Sequence, residues 1–441
     1  MCVRAVVCLL NRNRYDLILG IISIILYTCA KEGYLHMSEK RVPVTVLSGY
    51  LGAGKTSILN HVLNNREGLR VAVIVNDLSE VNIDSNLIKN GGGISRTDEK
   101  VVELSNGCIC CTLREDLLVE VERLVNEDRY DYILIESTGI GEPLPVAQTF
   151  TYVDEEKGID LSSICRLDTM VTVVDANRFW HDFSSGESLL ERGHAVDEED
   201  TREIVDLLID QIEFCDVLIV NKCDMVSEKD LLHLEQILRK LQPTAKFIRS
   251  SYGKVDPKEI MHTGLFDFEK ASQSAGWLQE LQKPSHTPET EEYGISSFVY
   301  RRRIPFHPER LYKWLQDWPE DVVRAKGFLW IATRNDIALT ISQAGSSIQL
   351  ESSGYWVSAL PEEEKQFILA EDPEWAETWD PQFGDRMNEI VCIGIELEKG
   401  DIIRSLDACL LTNEELNADW NTLRDPLPTS DVIVESLISD E

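Results

Sequence analysis

The sequence of 441 residues predicts an α/β fold, in which a P-loop domain with a mostly parallel, doubly wound sheet precedes a smaller α+β domain. Three observations lead to this prediction. Short apolar runs alternate with amphipathic stretches over residues 41–249, a glycine-rich loop follows the first run, and the composition changes near residue 272. Continuous Val/Ile-rich runs separated by helical patterns are typical of a parallel sheet covered on both faces.

The apolar runs give the predicted strands of the first domain. They lie at 42–47, 71–75, 132–135, 170–174 and 217–220, and helical patterns lie between them at 56–63, 113–125 and 203–212. In the second domain we expect strands at 297–300, 328–332, 337–341 and 390–395, and helices at 308–318 and 402–411. Short strands that alternate with helices in this way favour a mostly antiparallel sheet.

Composition sets the predicted domain boundaries. Residues 272–292 are polar, include two prolines and lack apolar periodicity, which is typical of a linker. Eight of the nine tryptophans lie from Trp277 onward, so the second domain is a separate packing unit. We therefore expect a first domain at 37–271, a linker at 272–292, a second domain at 293–428 and a frayed acidic tail at 429–441.

The first 36 residues do not fit this pattern. An apolar run at 17–30 follows three arginines; it is shorter than the about 20 residues of a transmembrane helix and is similar to a signal-peptide core. A nucleotide-binding signature follows, which argues against secretion, and Met37 opens a clean new start. We expect residues 1–36 to come from an over-extended gene start, with a membrane tether or an extra structured element as the alternatives.

Charge and cysteine content exclude several classes of function. The formal net charge is −34, from 43 basic and 77 acidic residues, so we expect no nucleic-acid partner and no binding to an anionic membrane. With 43% hydrophobic residues, the chain has ample material for a packed core. Eleven cysteines without regular spacing do not form the disulfide framework of a secreted protein.

The glycine-rich loop matches the phosphate-binding pattern G-x-x-x-x-G-K-[ST] and lies between a predicted strand and a predicted helix. We expect its backbone N–H groups and the helix N-terminus to cradle phosphate oxygens. Lys55 is expected to reach the β- and γ-phosphates, and the Thr56 hydroxyl to bind Mg²⁺. The predicted nucleotide-binding residues of the loop are Gly49, Gly52, Ala53, Gly54, Lys55, Thr56 and Ser57.

A second motif, Asn221-Lys222-Cys223-Asp224, follows the run 217–220 and predicts that the nucleotide is GTP. The Asp224 carboxylate can accept hydrogen bonds from N1–H and from the 2-amino group of guanine. Adenine offers no such donor pair and would leave a carboxylate unpaired, which is costly. We expect Asn221 to face the N7/O6 side of the purine and the Lys222 stem to pack along the base.

A third motif is an apolar strand that ends in an acid, ILIESTG at 133–139. Glu136 is expected to lie near Mg²⁺, through a water molecule, and the Gly139 N–H to sense the γ-phosphate. The alternative is an acid that merely ends a strand. We predict that Lys55, Thr56, Asp77 and Glu136 carry the hydrolysis, with the Asp77 region positioning the attacking water.

Three cysteines, Cys108, Cys110 and Cys111, lie between the glycine-rich loop and the acid-ended strand. They are too close together to be explained by core packing, and near-vicinal cysteines rarely form good disulfides. Thiolates at this spacing can converge on one soft or borderline metal ion, with redox chemistry as the alternative. Asp77 and Glu80, which follow the second strand, are predicted either to complete the metal site or to position water.

Together and in this order, these motifs resemble the CobW-type family of metal-chaperone GTPases. The resemblance rests on VTVLSGYLGAGKTS, NDLSEVNID, GCICC, LIESTG, NKCD, KGFLWIATR, FGDRMNEIVCIG and LDACLLTNEE, and covers 41 to about 428. Within the family, the sequence is most similar to the bacterial YciC-type zinc chaperones. The family's switch usually begins Asn-Glu, whereas here it is Asn76-Asp77, whose acidic side chain is one methylene shorter.

The resemblance implies slow GTP hydrolysis with GTP, Mg²⁺ and Zn²⁺ as cofactors, and delivery of zinc from the cysteine motif to a metal-requiring client protein. We expect a cytoplasmic protein, with a homodimer as a candidate oligomeric state. The alternatives are a zinc-sensing GTPase switch without metal transfer, a chaperone for cobalt or iron, and a small-molecule kinase, which the guanine motif disfavours. His233 resembles a metal-linked histidine of relatives, but alone it is equally compatible with an ordinary surface residue.

Overall fold

The computed structural model describes residues 41–65, 68–76, 100–104, 112–150, 153–154, 159–195, 200, 202–282, 294–371 and 379–428. Its contacts divide the chain into two compact units that meet in sequence between Gly276 and Trp277. The leading segment 1–36 and the acidic tail 429–441 lie outside the described residues. No helix among the described ranges combines the length and apolar character needed to cross a bilayer.

The first unit is built on a seven-stranded sheet in which every described strand pair is parallel. Its spatial order is β3-β2-β4-β1-β7-β8-β9, which confirms the predicted doubly wound class. The strands are β1 (Val42–Ser48), β2 (Val71–Asn76), β3 (Lys100–Leu104), β4 (Tyr132–Glu136), β7 (Cys165–Asp175), β8 (Val217–Asn221) and β9 (Lys246–Arg249). A short antiparallel pair, β5 (Val153–Asp154) with β6 (Ile159–Asp160), lies apart from this sheet.

Helices follow most of these strands along the chain. They are α1 (Lys55–Asn64), α2 (Thr112–Asn126), α3 (Pro143–Thr149), α4 (Leu161–Ile164), α5 (Phe179–Phe183), α6 (Ile204–Glu213), α7 (Glu228–Leu241) and α8 (Phe268–Ser272). In β2, Ala72 and Ile74 belong to one hydrophobic core, whereas Val71, Val73 and Val75 belong to a second. Since successive strand side chains point to opposite faces, the sheet is buried on both sides, which explains its continuous Val/Ile runs.

The register of the sheet aligns the ends of its central strands. Leu47 of β1 and Val75 of β2 both pair with Glu136 of β4, and Asp175 of β7 pairs with Asn221 of β8. Parallel strands end on the same edge of a sheet, so the loops that follow them meet there. This edge carries the glycine-rich loop, Glu136 and the guanine motif.

The second unit holds a five-stranded antiparallel sheet in the order β10-β14-β11-β12-β13, as expected for the α+β domain. Its strands are β10 (Ile295–Arg302), β11 (Val322–Leu329), β12 (Ile337–Ala344), β13 (Ser347–Tyr355) and β14 (Asn388–Ile395). Its helices are α9 (Gly276–Gln282), α10 (Pro308–Gln316), α11 (Glu362–Glu371) and α12 (Lys399–Cys409). Leu311 of α10 and Leu406 of α12 pack with the sheet in one core.

One sequence-based expectation for this part of the chain was wrong, and a second segment holds more regular structure than expected. The strand expected at 328–332 is Val322–Leu329, because the apolar run continues beyond the strand and only its beginning pairs with β12 and β14. The segment expected to be a linker contains α9, with Leu278 and Leu281 buried at helical spacing. Arg301 donates to the carbonyl of Leu281 at 2.8 Å, which ties α9 to the second unit.

Candidate functional site

The glycine-rich loop joins the end of β1 to the start of α1 through three glycines with positive φ. The φ angles are 132° at Gly49, 77° at Gly52 and 105° at Gly54. A Cβ on Gly49 would lie 2.3 Å from the Val173 carbonyl oxygen, and one on Gly54 would lie 2.3 Å from Asn221 Nδ2. Only glycine fits both the backbone conformation and the space, so the loop keeps the curled path that phosphate binding needs.

Lys55 is the first residue of α1, and its side chain is buried beneath the loop. Its Nζ donates to the Gly49 carbonyl at 2.8 Å and to the Tyr50 carbonyl at 3.4 Å. These bonds hold the ammonium group beside the loop and close to the N-terminus of α1, which together form an electropositive cradle. The arrangement suits the triphosphate of a nucleotide, with Lys55 available to neutralise its terminal groups.

Thr56 and Glu136 bring two oxygen ligands together across the site. The Thr56 hydroxyl donates to Glu136 Oε1 at 2.8 Å, and Glu136, at the end of β4, is 2% exposed. A hydroxyl beside a carboxylate is the hard-oxygen donor set that Mg²⁺ prefers, so these residues fit the ion. When bound, Mg²⁺ neutralises charge on the β- and γ-phosphates.

The loop after β4 runs directly against the glycine-rich loop. A Cβ on Gly139 would lie 2.5 Å from Leu51 Cδ2 and 2.7 Å from the Leu51 nitrogen. Gln211 of α6, which the sequence analysis missed, is buried and donates from Nε2 to the carbonyls of Gly139 at 3.3 Å and Gly141 at 3.1 Å. A shift of Gly139 would therefore alter its contacts with both the glycine-rich loop and α6.

The structure gives Asn221 a role that the motif alone did not predict. Its Nδ2 donates to the Ala53 carbonyl at 2.9 Å, and its Oδ1 accepts from the Gly253 N–H at 3.2 Å. The side chain is 2% exposed, and both ends of its amide are used by backbone groups. Asn221 thus braces the glycine-rich loop against the loop after β9, and its contact with the purine stays a prediction.

The next residues of this motif differ sharply in their surroundings. Lys222 has a left-handed backbone with φ of 60°, and its Nζ donates to Asp175 Oδ2 at 2.6 Å. Asp224 is exposed and makes no hydrogen bond within the described part of the chain. Its carboxylate is therefore accessible to a ligand, and recognition of the two N–H donors on the edge of guanine stays the prediction for this position.

Sequence reasoning also missed the side chains around Tyr50, the residue after the first glycine of the loop. Tyr50 is 3% exposed, and its hydroxyl lies 3.0 Å from His194 Nδ1. Burial, together with the nearby Arg192 and Arg178 charges, lowers the pKa of His194. A neutral imidazole can serve as donor or acceptor to the hydroxyl, so this contact fixes the path of the loop at its start. No sequence motif marks the pairing.

The predicted metal ligands Asp77, Glu80, Cys108, Cys110 and Cys111 lie outside the described residues. Within the described ranges, no cluster of three or more His, Cys, Asp or Glu side chains could hold a metal ion. His233 stacks on Trp180, with ring centroids 5.5 Å apart and an interplanar angle of 26°. This packing accounts for His233 without a metal.

A seven-stranded parallel sheet with this phosphate cradle, an acid beside Thr56 and an exposed guanine-type aspartate defines a P-loop GTPase. Residues 43–249 match the CobW/HypB/UreG nucleotide-binding domain, and residues 295–410 match the cobalamin synthesis protein CobW C-terminal domain. The chain belongs to the CobW/HypB/UreG family of GTPases. The resemblance drawn from the motifs is thereby confirmed.

Similarity extends along most of the chain in one relative. The zinc-regulated GTPase metalloprotein activator 1 of Dictyostelium discoideum is 46% identical over 411 residues, which cover 90% of this chain and 86% of that protein. Its namesake from Schizosaccharomyces pombe is 37% identical over 52% of this chain and 51% of its own length. A zinc chaperone CobW from Sinorhizobium is 32% identical over 44% of this chain and 54% of its own length.

Proposed function

We propose that this GTPase is a zinc metallochaperone: it binds Zn²⁺ at the Cys108, Cys110 and Cys111 motif and delivers the ion to a client metalloprotein under nucleotide control. The names of relatives that are 46% and 32% identical support zinc as the cargo. Three thiolates with a carboxylate or water as the fourth ligand suit tetrahedral Zn²⁺. Loading and release then depend on whether the switch segment can complete the site.

The observation that carries this proposal is the register of β3, β2 and β4. Asn76 of β2 pairs with Leu104 of β3, and Val75 pairs with Glu136, so the three strands end on one edge of the sheet. The segment with Asp77 and Glu80 begins directly after β2, and the cysteines lie between the end of β3 and the start of α2. Both segments therefore start from the edge that carries Glu136 and the glycine-rich loop.

This shared edge supports a coupling between nucleotide state and metal affinity. With GTP bound, the γ-phosphate holds the Gly139 loop and orders the switch segment, which completes the Zn²⁺ site. Docking of the client, recognised by the second unit, triggers attack by a water that Asp77 positions. Loss of the γ-phosphate then releases the switch carboxylates, and the weakened site passes Zn²⁺ to the client.

The test is the Zn²⁺ affinity of the purified full chain with a non-hydrolysable GTP analogue and with GDP. We expect at least about tenfold tighter binding in the GTP state, since allosteric couplings of this kind are typically about 1–3 kcal/mol. Cys110→Ser should abolish the difference. The matched control is Cys409→Ser, because Cys409 is buried in the second unit and burial raises the pKa of its thiol to about 11. Equal affinities in both nucleotide states would refute the coupling.

Delivery is tested separately with an apo zinc enzyme as acceptor and a fluorescent zinc indicator as competitor. GTP-dependent activation of the acceptor supports a chaperone, whereas nucleotide-dependent zinc binding without transfer supports a sensing switch. Loading with Co²⁺ or Fe²⁺ in parallel reports which ion the thiols prefer. We also propose a cytoplasmic location, because reduced thiols are needed as ligands and the cytosol keeps thiols reduced.

A further inference from the structure

The short turn after β7 is fixed on the nucleotide side of the sheet by Asp175. Its Oδ1 accepts from the backbone N–H of Asn177 at 2.9 Å and of Arg178 at 3.3 Å, while its Oδ2 accepts from Lys222 Nζ at 2.6 Å. The Ala176 N–H donates to the Asn221 carbonyl at 3.0 Å. Hydrogen bonds therefore join the guanine motif to this turn, and the turn fixes the position of the Arg178 backbone.

The Arg178 side chain lies on the outer side of the glycine-rich loop. Arg178 Nη1 lies 3.8 Å from the position that a Cβ on Gly52 would occupy, so the guanidinium is in van der Waals range of the loop. Gly52 is exposed, and because it has no side chain it does not cover the guanidinium. The Arg178 side chain is 43% exposed.

The guanidinium of Arg178 has one hydrogen-bond partner among the described residues, and this contact leaves most of its N–H donors available. Arg178 Nη2 donates to Asp182 Oδ1 at 3.1 Å, and no other hydrogen bond of this guanidinium reaches a described residue. Asp182 is already neutralised by Arg192, whose Nη1 donates to the same oxygen at 2.6 Å. The charge of Asp182 is thus balanced without Arg178. Nε and Nη1 of Arg178 make no hydrogen bond to a described residue and lie at the rim of the phosphate cradle.

We propose that Arg178 contacts the phosphates of the bound nucleotide from the Gly52 side of the loop. A guanidinium is a planar, permanently charged donor whose geometry suits two phosphate oxygens at once. Asp182 orients the group, and Asp175 ties its backbone to the guanine motif, so base recognition and phosphate contact share one support. The proposal concerns nucleotide binding and is independent of whether the protein delivers zinc.

The test compares Arg178→Ala with Arg166→Ala in the full chain. Arg166 is a matched control, because it lies at the opposite end of β7, is 38% exposed and pairs with one buried aspartate, Asp168, at 2.7 Å. We expect Arg178→Ala to weaken GDP binding by about 10- to 100-fold, the range for loss of a charge-assisted hydrogen bond, and Arg166→Ala to leave it unchanged. Arg178→Lys should give an intermediate loss.

Guanosine distinguishes a phosphate contact from a general loosening of the site. It carries the base and ribose without phosphate, so its affinity, measured by competition or NMR titration, should be the same in Arg178→Ala and in the parent protein. The proposal is overturned if GDP affinity stays within twofold of the parent value. It is also overturned if guanosine and GDP lose affinity equally, since that would mean that Arg178 only supports the fold. If Arg178→Ala does not fold, Arg178→Lys and Arg178→Gln give the same comparison.

Discussion

Replacing Asn221 with alanine removes the amide that joins the glycine-rich loop to the loop after β9. In the parent protein that amide donates to the Ala53 carbonyl at 2.9 Å and accepts from the Gly253 N–H at 3.2 Å. The variant leaves both backbone groups without this partner in a site that is 2% exposed at the side chain.

Each lost hydrogen bond contributes about 1 kcal/mol net, and a buried group left unsatisfied costs about 1–3 kcal/mol. We therefore expect the opening free energy around the glycine-rich loop to fall by about 2–3 kcal/mol, which corresponds to a roughly 30- to 150-fold rise in the opening constant. The lower opening free energy should be confined to elements that contact the amide, because the second unit has a separate hydrophobic core.

Amide hydrogen exchange of the nucleotide-free protein measures this directly. The amides of α1, including the Ile58 N–H that donates to the Gly54 carbonyl at 3.0 Å, should exchange faster by the predicted factor. Asn388→Ala is the matched control. Asn388 is also fully buried, and its amide bonds to Ile304 and Trp330 in the second unit, so its loss should accelerate exchange only there.

A change of less than twofold in α1 exchange, combined with weaker GDP binding, would refute the bracing role. It would mean instead that Asn221 acts on the base itself, as the motif alone had predicted.

Three further outcomes are expected. Gly139→Ala should lower kcat/KM for GTP by about tenfold or more, because the new methyl would overlap Leu51; unchanged steady-state kinetics would contradict this. Thr56→Ala should raise the Mg²⁺ concentration for half-maximal hydrolysis by about tenfold or more, read from an Mg²⁺ titration of GTPase rate, and no change would remove Thr56 as a ligand. Burial raises the pKa of Asp216 to about 6, so its charged form opposes folding once the pH rises through the interval between 3.8 and 6. Asp216→Asn keeps an oxygen for the Met170 N–H and should stabilise the protein by about 1 kcal/mol at pH 8 but not at pH 3.5, in thermal melts at both pH values.

The strands with two buried faces could be predicted from the sequence because their whole length is apolar. β8, with all five residues buried, is such a case. β13 could not be predicted in this way, because it lies at the edge of its sheet and Glu351, Ser352 and Tyr355 are exposed. Its pairing with β12 depends on backbone register, which leaves little trace in hydropathy.

The site residues that belong to a contiguous sequence motif could be predicted. The site residues that approach through packing across the sheet were missed. Lys55 and Thr56 belong to one short pattern, and the structure brings Glu136 to Thr56 as the strand-end argument required. Arg178 and Gln211 approach the glycine-rich loop and the Gly139 loop from elements far along the chain. Only the register of β1, β7 and β8 places them there, and single-sequence patterns do not give register.

The central position of β1 has a consequence for how the chain is made. Val44 pairs with Ile133 on one side and with Leu167 on the other, so β1, once synthesised, waits for partners that are 89 and 123 residues away. At about 5–20 residues per second, the ribosome needs about 6–25 s to supply the second partner. During that interval the apolar strand ahead of the phosphate loop is unpaired, and GTP has no assembled cradle to bind. Because Asn221 also braces the cradle, nucleotide can stabilise this fold only after about half of the 441 residues have been synthesised.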